Sequence, residues 1–317
     1  AEMTGAETTL FCPSYPEVGR TVYQGHLFVS DQLVSDSPKR FDPLTPMPDP
    51  NLVGVLGRQT RARVGLVPHA VLASGRRAAE AHIQALLADG VRYLIFDAVD
   101  DEDVAACARL TADWPAMTGG DTLSHMAPAL RVPDRRPAPP LPRIGGPAAV
   151  IAGSCGAATL EQLDIFAGQH PVRRIDLVAA AGDPDAAIAD ALDWAVARLG
   201  GGPVALAVSD RPEGVARSQA ALGRAEAARL GESICARLAA GLHAAGVRRF
   251  VVAGGETSGA VAAALRIEKL DAAPSGALGG GLCHAAAPTP MGLFFKAGKM
   301  GPPDLFLRAF AMMEGTG

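Results

Sequence analysis

Three stretches of this 317-residue sequence combine residue types suited to holding a phosphate. The strongest is Val251-Val252-Ala253-Gly254-Gly255-Glu256-Thr257-Ser258-Gly259-Ala260, an apolar run entering a Gly-Gly turn and then a Thr-Ser pair that opens a helical pattern. Glycines let backbone N–H groups approach an anion, and a helix start adds unpaired donors and a partial positive charge. In a parallel sheet such a junction lies at the carboxyl end of a strand, where ligands bind. The same residues also suit a plain strand–turn–helix junction with Thr257 or Ser258 as N-cap, and the local pattern leaves both open.

The second stretch, Ile151-Ala152-Gly153-Ser154-Cys155-Gly156, repeats this chemistry with one hydroxyl. Ser154 suits a phosphate or a ribose, and equally a helix cap. Cys155 has no base nearby in sequence, which favours a small packed thiol over a nucleophile. The third stretch is Phe294-Phe295-Lys296-Ala297-Gly298-Lys299-Met300-Gly301. A lysine at a strand end beside a glycine-rich turn is placed to serve as a point charge for phosphate, or else belongs to a solvated loop. The sequence holds only four lysines, Lys39, Lys269, Lys296 and Lys299, so a pair of them at this turn favours function.

Weaker signals lie nearer the N-terminus. Gly19-Arg20-Thr21-Val22-Tyr23-Gln24-Gly25-His26 packs polar and aromatic groups between glycines, as a substrate loop would. Asp97 falls late in an apolar strand, where a carboxylate needs a partner or a ligand. Asp100, Asp101 and Asp103 read as charge at a helix start, and His82 as structural. The seven histidines show no H-x-x-x-H spacing for a metal. Neither G-x-x-x-x-G-K-[ST] nor a strand followed by G-x-G-x-x-G is present, which counts against P-loop NTPases and dinucleotide dehydrogenases.

The elements that must position these residues alternate between strand and helix. Strands are expected at Ala148–Gly153, around Ile175–Val178, at Val204–Val208, Phe250–Ala253 and Gly292–Lys296. Helices are expected from about Pro184 to Leu199 and from about Glu213 to Gly246. Nearer the N-terminus, Thr9–Cys12, Val64–Val67 and Tyr93–Val99 read as strands and Arg76–Asp89 as a helix. Seven prolines between Pro128 and Pro147 exclude helix and central strand and mark a linker. The reading is an α/β chain of two domains, each a mainly parallel sheet flanked by helices.

Composition narrows the function classes. A net charge of −4 and a pI near 6.0 provide no basic field for nucleic acid or an anionic membrane surface. Five dispersed cysteines without a C-x-x-C fit a reducing cytoplasm and no disulfide scaffold. No apolar run reaches the length of a membrane span.

Taken together, these residues resemble the four-carbon acid sugar kinase family, in particular its 3-oxo-tetronate 4-kinase branch. The likeness is carried by Gly19–Val29, Ala152-Gly153-Ser154-Cys155, Ala253–Gly259, Lys296-Ala297-Gly298, Gly301 and Asp304-Leu305-Phe306. It implies a two-domain kinase that uses ATP, with Mg²⁺, to phosphorylate the terminal hydroxyl of a four-carbon sugar acid such as 3-oxo-tetronate. Residues 1–127 are then part of a sugar-acid domain, 128–147 the linker, and 148–317 the nucleotide domain. By position, the nucleotide site is Ser154, Gly254, Gly255, Glu256, Thr257, Ser258 and Gly298.

There are departures from the family pattern. The Asp-Asp-x-Thr-Gly-Ala opening and a later acid-and-serine-rich stretch have no counterpart, so the chain is expected to lack the family's N-terminal segment and the catalytic base is unassigned. Lys-Ala-Gly replaces Lys-Ser-Gly, Asp121–His125 replaces a small-residue pattern, and Gly279–His284 alters a turn. Two other readings therefore stand beside the kinase: a nucleotide- or metabolite-binding protein without a base, and an unrelated α/β enzyme of phosphorylated metabolites. The acid, its stereochemistry and any homo-oligomer are left open.

Overall fold

The computed structural model describes residues 5–42, 45–119, 140–208, 210–273 and 278–315. Asp121–His125 and most of the proline-rich stretch lie outside the described residues. The chain divides into two compact units, Ala1–Arg136 and Pro137–Gly317.

In the first unit a parallel sheet takes the order β5-β6-β1-β7, built from β1 (Thr9–Phe11), β5 (Arg63–Val67), β6 (Val91–Phe96) and β7 (Met117–Thr118). Alternation along β6 decides the packing. Leu94 and Phe96 face a core shared with α3 (Arg76–Ala88) and α4 (Asp101–Thr111). Ile95 faces the opposite core with Val22, Leu27, Val34 and Leu52. That second core is covered by an antiparallel sheet of β2 (Arg20–Tyr23), β3 (His26–Val29) and β4 (Gln32–Leu33), and by α1 (Leu52–Gly57). A short helix, α2 (His69–Ala73), follows β5. The expected substrate loop at Gly19–His26 is thus mostly a hairpin. Its two-residue turn puts Gln24 and Gly25 at φ of 51° and 72°. A hairpin this tight demands positive φ at both positions, which favours glycine at the second.

The second unit holds a seven-stranded sheet in the order β12-β13-β14-β11-β8-β10-β9. Its strands are β8 (Ala148–Ala152), β9 (Val172–Arg174), β10 (Val204–Ala207), β11 (Arg249–Ala253), β12 (Asp271–Ala273), β13 (Gly280–Ala285) and β14 (Met291–Lys296). The five from β14 to β9 are parallel, and β13 and β12 run antiparallel at one edge. Every residue of β8 is buried, as a central parallel strand requires. Ala149 and Ile151 face one core with Ile188, Ile234, Leu238 and Leu242, contributed by α7 (Pro184–Val196) and α9 (Arg224–Ala244). Ala148, Val150 and Ala152 face the other with Leu163 and Phe166 of α5 (Ala157–Ala167) and Phe306 and Phe310 of α11 (Leu305–Glu314).

The expected elements shift in two places. The strand expected around Ile175–Val178 lies earlier, at β9. Asp176 accepts the Val178 and Ala179 amides and so starts the short α6 (Leu177–Ala180). The long helix expected from Glu213 is two helices, α8 (Pro212–Leu222) and α9, parted at Gly223, whose φ is 82°.

Candidate functional site

Parallel register sets the geometry. Ala253, the last residue of β11, pairs with Ala152 of β8 on one side and Lys296 of β14 on the other. The carboxyl ends of the three strands are therefore level, and their turns emerge side by side. Hydrogen bonds continue the sheet one step further: Gly153 and Ser154 amides donate to the Ala253 carbonyl at 3.0 and 3.1 Å, and the Gly254 amide donates to the Lys296 carbonyl at 3.0 Å.

From that edge α10 (Gly255–Ala264) begins. Its N-cap is Gly254, at φ 129°, and not Thr257 or Ser258. A glycine has no side chain to cap with, so the first-turn amides carry no side-chain cap, and a helix start in this state is an anion-binding element. Thr257 is buried inside the first turn, whereas Gly255 and Glu256 are exposed. Ser258 Oγ donates back to the Gly254 carbonyl at 2.7 Å. A Cβ at Gly254 would stand 2.7 Å from Thr257 Oγ1.

The other two turns close on this one. A Cβ at Gly153 would overlap the Thr257 hydroxyl, and a Cβ at Gly298 would overlap the Ser154 side chain. A Cβ at Gly156 would reach the Gly298 carbonyl at 2.7 Å. Ser154 Oγ accepts the Gly156 amide at 3.1 Å and so shapes the entry to α5. The structure thus brings together all seven residues read from the sequence: Ser154, the turn Gly254 to Ser258, and Gly298. Cys155 belongs to the same turn as Ser154, but desolvation holds its thiol above the ordinary range, the opposite of an activated thiolate.

Lys296 departs from its sequence reading. Its ammonium turns into the protein, donating to Thr159 Oγ1 at 2.8 Å, to Gln162 Oε1 at 2.7 Å and to the Gly298 carbonyl at 3.4 Å. Among the described residues no carboxylate pairs with it, and burial pushes its pKa down to about 8. It lies beneath the turn as part of its framework.

In the first unit Asp97 follows β6 and is fully buried. Its carboxylate accepts the amides of Gln24 at 2.7 Å, Gly25 at 2.9 Å and His69 at 2.9 Å. The partner that the sequence demanded for it is backbone, and the bonds tie the hairpin turn to the carboxyl ends of β5 and β6. His82 donates Nε2–H to the Leu66 carbonyl at 3.0 Å, a structural role.

Sequence reasoning missed His69. Its Nδ1 donates to Asp103 Oδ2 at 3.0 Å, and Asp103 also accepts the Val99 amide at 2.9 Å. With Nδ1 engaged by a carboxylate, Nε2 of the neutral ring is left as the basic nitrogen. The Tyr23 ring lies 6.0 Å away. The pair borders a cavity of about 480 Å³ whose lining includes Arg76, Glu102 and Arg109. No local motif signals it, because residues after two different strands make the pair.

Comparison with known proteins gives this geometry its context. Residues 1–126 match a family model described as a sugar-binding N-terminal domain, and residues 149–306 one described as a nucleotide-binding C-terminal domain. A 3-oxo-tetronate kinase of Burkholderia multivorans is 41% identical over 321 residues, covering 99% of this chain and 74% of that protein. Another, from Cupriavidus necator, is 41% identical over 316 residues, covering 98% of this chain and 72% of its own length. A crystal structure from Salmonella typhimurium LT2 superposes with a TM-score of 0.78 at 30% identity, covering 97% of this chain and 74% of that one. Both halves of the chain and nearly its whole length are accounted for by one group of proteins, and the chain belongs to the four-carbon acid sugar kinase family, in its 3-oxo-tetronate kinase branch.

Proposed function

We propose that this protein transfers the γ-phosphoryl group of ATP to the terminal hydroxyl of a four-carbon sugar acid, with 3-oxo-tetronate as the first acid to test. The observation that carries the nucleotide half is the level ending of β8, β11 and β14, which collects Ser154, Gly254–Ser258 and Gly298 around an uncapped helix start. The first-turn amides, with the Ser154 hydroxyl beside them, suit the α- and β-phosphates, whose charge backbone donors meet without side-chain reorganisation. The nucleotide unit is residues 148–317 and the sugar-acid unit residues 1–127.

Catalysis of this kind is positioning and charge stabilisation. The acceptor oxygen attacks the γ-phosphorus, the bond from that phosphorus to the bridging oxygen breaks, and ADP leaves while the hydroxyl proton passes to a base. On the sugar side His69, oriented by Asp103, offers Nε2 as the basic atom. Among the described residues no cluster of three or more His, Cys, Asp or Glu side chains forms a metal cage. Mg²⁺ would arrive on the triphosphate, and exposed Glu256 is the carboxylate within the turn that could help hold it. The ion would neutralise charge developing on the phosphoryl oxygens.

The test is ADP release by the purified protein across a panel of four-carbon acids, alongside calorimetric titration with ATP. Turnover with 3-oxo-tetronate or a related acid supports the proposal. ATP binding without transfer to any acid favours a non-catalytic nucleotide-binding protein, and neither binding nor turnover overturns the nucleotide site itself.

A further inference from the structure

Beneath the candidate nucleotide turn lies a buried polar cluster, built around Lys296, to which the proposed function gives no part in the reaction. Thr159, Gln162 and Lys296 are 0%, 1% and 2% exposed. Thr159 and Gln162 stand one helical turn apart on the same face of α5. Thr159 Oγ1 donates to the Gly298 carbonyl at 2.8 Å while accepting Lys296 Nζ. Gln162 accepts Lys296 Nζ at Oε1, which leaves its Nε2 to donate to the carbonyls of Met300, Gly301 and Pro302 at 3.1, 3.2 and 3.0 Å. The carbonyls of residues 298, 300, 301 and 302 are all drawn inward by this group.

Two physical arguments give the cluster a purpose beyond folding. A buried ammonium met only by neutral acceptors is costly, and an apolar side chain would fill the same space with less desolvation. Peptide planarity supplies the return. A carbonyl and the amide that follows it point in opposite directions, so drawing the Gly298 carbonyl inward turns the Lys299 amide away from the interior. Gly298 is meanwhile held against Ser154.

We propose that Lys296, Thr159 and Gln162 are positioning residues for phosphoryl transfer, a clamp that fixes the 297–302 turn so that its backbone is preorganised for the ATP polyphosphate. This rests on the nucleotide reading of the strand ends. The clamp touches no substrate. It acts through the turn, so its effect falls on ATP and spares the sugar acid.

The test compares Thr159→Val, which keeps the shape and removes the hydroxyl, with Thr159→Ser, which keeps the hydroxyl, and adds Lys296→Met and Gln162→Leu. Steady-state kinetics are run against ATP and against the acid, and amide hydrogen exchange of segment 297–302 is measured without nucleotide. Thr159→Val and Lys296→Met are expected to raise KM for ATP by about tenfold or more, as removal of a buried hydrogen-bond partner does. KM for the acid stays within about twofold, exchange in 297–302 quickens, and Thr159→Ser recovers most of the loss. Folded variants with unchanged exchange in 297–302 and an unchanged KM for ATP would overturn the proposal. So would parallel rises in both KM values with falling melting temperature, which mark general destabilisation. If the wild-type protein binds no ATP, the nucleotide reading fails and this role with it, and faster exchange in the variants then makes the cluster a structural brace alone.

Discussion

Gly298 packs directly on Ser154: a Cβ added to the glycine would fall on the serine hydroxyl. The contact joins the turns after β14 and β8 across β11, the strand between them. A pair so far apart in sequence meets only because the parallel strands carrying it end at the same level.

Gly298→Ala should therefore push the two turns apart. Overpacking of this kind costs about 1–3 kcal/mol, and here it acts on the turn more than on the core. KM for ATP is expected to rise about tenfold with little change in KM for the acid, measured by coupled ADP release.

Lys296 makes stability depend on pH. Burial lowers its pKa from 10.5 to about 8, so between those values the unfolded chain binds a proton that the folded protein does not. Stability contributed by this group rises as pH climbs from about 8 to 10.5 and is absent below about 8. The gain is at most about 1.4 kcal/mol per pH unit. α5 presents Thr159 and Gln162 to the ammonium and α11 presents the Phe306 ring, while Glu161, Asp164 and the Asp304–Arg308 pair are exposed. Urea denaturation across this range should show the rise in the wild type and its loss in Lys296→Met.

How far the site could be read from sequence follows from what is local. Ser154, Gly254–Ser258 and Gly298 each stand in a strand–glycine–helix or strand–glycine–turn pattern, and such patterns announce themselves within ten residues. The direction of Lys296 is not local: it depends on acceptors from α5, which sequence distance hides. The pairing of His69 with Asp103 is invisible for the same reason. At the sheet edge, β12 and β13 lack apolar alternation, and glycine-rich Gly279–Gly281 reads as a turn although Gly280 and Gly281 pair with Lys296 and Phe295. Strand β9 was displaced because Asp176 caps a helix inside what reads as an apolar run.

Asp97→Ala would take the shared acceptor from three backbone amides, that of buried Gly25 and the part-buried ones of Gln24 and His69. Each lost bond to a charged acceptor is worth about 1.5–3 kcal/mol, so thermal unfolding should show a loss of at least about 3 kcal/mol. Exchange at the 24–25 turn should quicken well before the rest of the unit opens.

His69→Asn removes the basic nitrogen. With His69 as the group that takes the acceptor proton, kcat should fall about a hundredfold while KM for ATP holds. Asp103→Asn should produce a smaller fall, since it leaves Nε2 in place and loosens the hold on the ring and on the Val99 amide. An unchanged kcat in His69→Asn would remove His69 from the chemistry.

The central claim is that three level strand ends form one nucleotide site, and amide hydrogen exchange with and without ATP tests it most directly. The account predicts that ATP slows exchange together in 153–156, 254–258 and 297–301, and leaves the outer edge strands β9 and β12 unaffected. Protection confined to other segments, or none at saturating ATP, would contradict it.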